Sequence, residues 1–275
     1  MTAEREARGQ GVFGFKKRRR QALREQPFPD AWRLVIERNV AYYSLLPPDD
    51  QRELEGHISV FLAEKNFEGC GGFKLTDEAR VVIAAFACIL LLHRDTDYYP
   101  RLDSILVYPR SFVAEKTTKG PGKFVIKGEE VRVGESWTSG AVILAWSDVR
   151  ESVMYPHDGH NVIFHEFAHQ LDAENSAADG FPVVEDEDVA EEWSQAFTDA
   201  YEQLPDDIEQ GRETIIDEYG AQSPSEFFAV VTETFFELPI ELQEEQPALY
   251  DALKHYFQQD PAGLIRKMED FPDSQ

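Results

Sequence analysis

The stretch NVIFHEFAHQLD, residues 161–172, sets two histidines four residues apart, with a glutamate directly after the first. Residues four apart share one face of a helix, so His165 and His169 can offer two ring nitrogens to a single point. Phe164, Phe167, Ala168 and Leu171 follow the i, i+3, i+4, i+7 spacing of a buried stripe. The histidines lie beside that stripe rather than in it. The segment therefore has to be a core helix that also presents polar donors, and the rest of the chain must be arranged around that demand. Glu166 is placed to take a proton from water beside a metal ion without binding the ion itself. His-Glu-x-x-His in this setting reads as a zinc site.

A catalytic zinc with two histidine ligands usually takes a carboxylate as its third protein ligand and leaves the fourth place to water. The metzincin pattern needs a glycine seven residues and a histidine ten residues after the first histidine. Asp172 and Asn175 occupy those places, which excludes that class. The segment YGAQSPSEFFAVVTETFFE, residues 219–237, offers Glu226 and Glu233. Ser223 stands three residues before Glu226 and Pro224 opens the helix, so Glu226 also fits a capping box. On the residues alone both carboxylates stay open. Glu226 has the advantage of a helix end, where a site facing a loop is easier to build.

The remaining chemistry of the chain narrows the alternatives. Its 275 residues suit one large domain or two small ones. The 42% apolar content is that of a globular protein. With 27 basic and 52 acidic residues the formal net charge is -25, which argues against nucleic acid as a partner. Cys70 and Cys88 are too few for a disulfide framework, so a reducing cytoplasm is the expected location. The amino-terminal residues hold no apolar core of a signal peptide. The longest apolar run, Val81–Leu92, is far short of the roughly 20 residues a membrane span requires and is expected to be a core helix.

Residues 1–29, with Lys16, Lys17, Arg18, Arg19, Arg20 and Arg24, read as a mobile, solvated basic arm, with contact to an acidic partner or to the protein's own acidic body as the other reading. Helices are expected over about 30–43 and 49–65, meeting at LLPPDD with Asp49 or Asp50 as cap. Thr76 is expected to cap the apolar helix that follows. Strands are expected at 104–109 and 140–149, and a hairpin at 123–134. Further helices fit 160–173, 188–203, 223–236 and 239–258. The pattern gives an α+β protein: a helical portion over about 30–100, and a catalytic portion over about 101–275 with a small mixed sheet and a helical carboxyl-terminal half. Residues 30–275 are taken as one domain. The strand at 140–149 is expected to form the sheet edge beside the zinc, where an extended peptide could add as another strand.

The two quoted motifs, with ILVYPRSFV (105–113), GESWTSGAVILAWSDV (134–149) and LYDALKHYFQQDP (249–261), closely resemble the Mlc titration factor A family of zinc-dependent peptidases. That family is related to the catalytic domain of anthrax lethal factor. The resemblance implies a gluzincin-like fold with one Zn2+ per chain, held by His165, His169 and Glu226. It implies Glu166 as general base and Tyr219 as a donor to the reacting carbonyl. It implies an aminopeptidase-like activity on short peptides. Founding members of the family inactivate a transcriptional repressor of sugar uptake, which gives the alternative of a regulatory binding protein whose peptidase activity is secondary. One position departs from many such enzymes: Val230 stands four residues after Glu226, where an acidic residue often orients the first histidine. The partner of the histidines' other ring nitrogens must come from elsewhere, with Asp172 and Glu233 as candidates.

Overall fold

The computed structural model describes residues 14–111, 140–175, 179–183 and 187–270. The first helix, α1 (14–24), already departs from expectation. From residue 14 onward the basic segment is not a solvated arm but a helix docked on the protein's own acidic groups. Arg20 makes a two-nitrogen contact with the Glu64 carboxylate, with Nη2 2.8 Å from Oε2. Arg24 donates to the Tyr98 hydroxyl, and Lys16 pairs with Asp97 at 2.9 Å. Leu23 packs against the core. Screening weakens exposed pairs such as Lys16–Asp97, but Arg20 and Glu64 are largely covered and hold the helix in place.

The next helices are α2 (Asp30–Asn39), α3 (Ala41–Leu45) and α4 (Pro48–Glu64). The first expected helix is thus broken at Val40, whose non-helical backbone turns the chain and buries its side chain. Asp49 and Asp50 do not cap α4. Pro48 opens it after Pro47, and the two acids sit in its first turn, where the helix dipole favours them. Helix α5 (Asp77–Ile89) carries most of the apolar run, and Thr76 Oγ1 caps it by accepting from Ala79 N at 3.1 Å.

Strands β1 (Asn66–Gly69), β2 (Ser104–Tyr108) and β3 (Ala141–Ala145) form the sheet of the described residues, in the order β1-β2-β3. Both pairings are parallel, with Asn66 opposite Ser104 and Tyr108 opposite Ala145. Among the described residues the sheet is parallel throughout. Parallel neighbours need a crossover, and α5 supplies it between β1 and β2. Short, polar β1 escapes sequence reading. The expected hairpin at 123–134 lies outside the described residues. The strand expected over 140–149 stops at Ala145, and α6 (Trp146–Met154) takes over the rest.

Helix α7 (Val162–Asp172) follows, then α8 (Glu187–Glu209), α9 (Pro224–Glu237), α10 (Pro239–Glu245), α11 (Pro247–Phe257) and α12 (Pro261–Asp270). The helix expected over 239–258 is split because Pro247 has no N–H to continue it. One hydrophobic cluster runs through these elements, from Ile36 to Ala262. Within it Phe86 and Phe61 meet Phe164 and Phe167 of α7 at ring centroid distances of 5.2 and 5.8 Å. Phe164 also stacks on Phe236 of α9 at 4.9 Å. Each such buried side chain contributes about 1.5–3 kcal/mol of burial. Together they fix α7 against α9. No helix among the described residues is long and apolar enough to cross a membrane.

Candidate metal centre

Two helices, α7 and α9, carry His165, Glu166, His169, Asp172, Glu226 and Glu233. Asn161 starts α7: its side-chain oxygen accepts from Ile163 N and Phe164 N, which fixes the entry of the helix. Ser223 starts α9 by accepting from Glu226 N at 3.2 Å. Only half of the capping box forms. The Glu226 carboxylate turns away from its own helix end and toward the two histidines of α7.

His165 Nε2 lies 3.1 Å from Glu226 Oε2 and 3.2 Å from His169 Nε2, and His169 Nε2 lies 3.3 Å from the same carboxylate oxygen. Three donor atoms therefore face one another at nearly equal separations. A zinc ion with ligands about 2.0 Å away in a tetrahedron has edges of about 3.3 Å, so the donor set fits that ion. His165, His169 and Glu226 are the residues that could hold it.

The outer nitrogens are held as well. His165 Nδ1 lies 2.7 Å from Glu233 Oε1, while Glu233 Oε2 accepts from Asn161 N at 2.5 Å. His169 Nδ1 lies 3.1 Å from Ser225 Oγ, and Ser225 in turn donates to Asp172 Oδ2 at 2.7 Å. Each of the two open candidates thus serves one histidine, Glu233 directly and Asp172 through a hydroxyl. Glu233 thus offers His165 the carboxylate that Val230 does not carry. Ser225 and Asn161 were missed from the sequence. Asn161 had a usable signal, a cap residue directly before an apolar helix, whereas a serine inside a helix start carries none. Glu233→Gln should weaken zinc binding by about 10- to 100-fold, read as metal content after dialysis against graded chelator. Unchanged retention would remove Glu233 from the site.

Charge in the cluster follows from burial and pairing. Burial alone would keep the His165 ring neutral, but the charge of Glu233 and the hydrogen bonds of Glu226 and Glu233 push its pKa up to about 10. Burial prevails at His169, whose pKa falls to about 4. Burial works against ionisation of Glu226, yet the hydrogen bond from His165 draws its pKa down to about 2. A single proton on His165 thus sits among the three donor atoms, in the place an ion would take. Between the two histidine values one proton must leave for each ion bound. Apparent zinc affinity is therefore expected to rise about tenfold per pH unit in that window and to fall as acid returns the proton. Competition against a chromophoric chelator at several pH values checks this, and a flat profile would show that no proton leaves His165 on binding.

Glu166 is buried, with 6% of its surface exposed, one residue from the donor cluster. Tyr219 stands in a 3-10 turn, Glu218–Gln222, directly before α9. Asp217 Oδ1 accepts from Tyr219 N at 2.8 Å, and the Tyr219 ring lies 6.0 Å from the His165 ring, centre to centre. A cavity of about 420 Å³ opens beside His165, lined in part by Asp148, Glu151, Asp158 and His160.

Residues 15–258 match the family described as glucose-regulated metallo-peptidase M90. The chain belongs to the M90 metallopeptidase family. The match spans both site helices of this M90 member. An uncharacterized protein of Synechocystis sp. is 44% identical over 244 residues, 88% of this chain and 89% of its own length. Mlc titration factor A of Klebsiella pneumoniae is 33% identical over 225 residues, 81% of this chain and 84% of its own. Mlc titration factor A of Serratia proteamaculans is 31% identical over 247 residues, 88% and 93% of the two chains.

Proposed function

We propose that this M90 protein is a zinc-dependent peptidase of gluzincin-like design, aminopeptidase-like on short peptides. The observation that carries the proposal is the meeting of His165 Nε2, His169 Nε2 and Glu226 Oε2 at 3.1–3.3 Å. Zinc in that place supplies Lewis acidity, which brings the pKa of water down to about 7. Glu166 accepts the proton as the water oxygen attacks the peptide carbonyl carbon, then returns it to the amine as the carbon–nitrogen bond breaks. Tyr219 donates a hydrogen bond to the oxyanion that develops on the carbonyl. The aminopeptidase-like preference rests on the resemblance to the Mlc titration factor A family.

The test pairs metal analysis with a panel of fluorogenic dipeptides and amino-acid amides. About one zinc per chain with chelator-sensitive turnover is expected; no zinc at all would end the proposal. Tyr219→Phe should keep zinc and lower turnover by about 10²-fold. Equal turnover would leave Tyr219 as a packing residue.

The name of the Klebsiella and Serratia relatives, Mlc titration factor A, favours a second reading, in which the protein binds a transcriptional repressor of the Mlc type. The two readings part on Glu166→Gln, since a binding role survives loss of the base and a peptidase role does not.

A further inference from the structure

We infer that Ser225 and Asp172 are positioning residues that act as a relay to fix which nitrogen of His169 faces the metal place. The inference rests on the zinc reading proposed above. Asp172 ends α7 with its carboxylate fully buried, and it takes the Gly180 N–H on both oxygens, at 2.9 and 3.0 Å. A carboxylate used in this way only accepts, so the one hydroxyl proton of Ser225 must point to Asp172, 2.7 Å away. With its proton spent, Ser225 Oγ can only accept. His169 Nδ1, 3.1 Å from that oxygen, must then carry the hydrogen. Nε2 is left with its lone pair toward Glu226 and His165.

The logic also shows why a hydroxyl alone would not do. A serine hydroxyl rotates freely and could equally donate to Nδ1. That would move the imidazole hydrogen to Nε2, where it blocks ligation. Asp172 sets the direction of the hydroxyl, and the hydroxyl sets the tautomer. The two histidines are therefore oriented by different means. His165 has a charged partner in direct contact, while His169 has a neutral hydroxyl whose direction is imposed from one step further out.

Two measurements on the full chain test the relay. The first is nitrogen NMR of the His169 ring in metal-free protein at neutral pH. The second is zinc affinity by chelator competition. Wild type should show the hydrogen on Nδ1. Asp172→Asn can turn an amide N–H toward Ser225 and reverse the relay, so the hydrogen should shift toward Nε2. Ser225→Ala removes the acceptor and should also lose the fixed Nδ1–H form. Zinc affinity should fall by about 10- to 100-fold in both, with Ser225→Thr restoring it in part. Circular dichroism identifies any variant that fails to fold, and the other variant then decides. An unchanged tautomer and unchanged affinity in folded Asp172→Asn or Ser225→Ala would overturn the inference. A wild type that binds no zinc would end the zinc reading, and the tautomer measurement would still decide the relay.

Discussion

Glu166→Gln is expected to retain zinc at the wild-type level and to lose about 10³-fold in turnover. The side chain is next to His165 in sequence, but none of the three converging donor atoms belongs to it. Replacing it by the isosteric amide removes a proton acceptor and leaves the donor set whole. General acid–base transfer by a placed carboxylate contributes about 10²–10⁴-fold, and Glu166 is assigned both halves of that transfer, from water and to the amine. The loss should appear in kcat, with KM little changed, because the group acts on the reacting atoms rather than on substrate binding. Metal analysis of the same preparation decides the interpretation. If zinc were lost as in His165→Ala, Glu166 would be part of the metal's support and the assigned role would be wrong.

Glu226→Gln is expected to do the opposite. Its carboxylate contacts both histidines, and its own helix end is capped by Ser223 instead. Removing the charged oxygen from a three-residue donor set should weaken zinc binding by more than the roughly 100-fold reached by loss of an outer partner. The metal-free fold should lose only on the order of 1 kcal/mol, since the glutamine oxygen can still accept from His165 and the serine cap is untouched. Thermal unfolding of chelated wild type and variant, beside metal content after dialysis, separates the two effects. Zinc retained in Glu226→Gln but absent from Glu233→Gln would reverse the assignment of ligand and supporting residue.

Much of the candidate site is legible in the sequence, and the reasons are local. His165, Glu166 and His169 announce themselves because helical spacing alone brings the two rings together. Glu226 and Glu233 were visible as a pair, but which of them meets the rings depends on how α9 lies along α7. That is set by Phe164, Phe236 and their neighbours, and spacing within one segment does not encode it. Ser225 was illegible for the same reason, since its partner is 56 residues away in sequence. In the fold, Thr76 and the helix starts followed rules that act over three or four residues. The parallel sheet did not. Strand direction is decided by crossovers, and strands as short as β1 leave little hydrophobic pattern to read. Of the two readings of the basic segment, the fold takes the contact with the protein's own acidic groups, which charge runs alone do not favour because Arg20 and Arg24 find Glu64 and Tyr98 only once the chain has folded.

The two helices that carry the donor atoms are locked by aromatic rings, not by the atoms they present. Phe164 on Phe236 would keep α7 and α9 in register whether or not an ion bridged them. Loading is then a matter of capture rather than assembly. On the proposed zinc reading an arriving ion would meet a finished socket, so uptake should be a simple bimolecular event with no slow structural phase. Depletion and reloading would leave the chain unaltered, which makes metal supply a reversible setting on the protein rather than a condition of its survival.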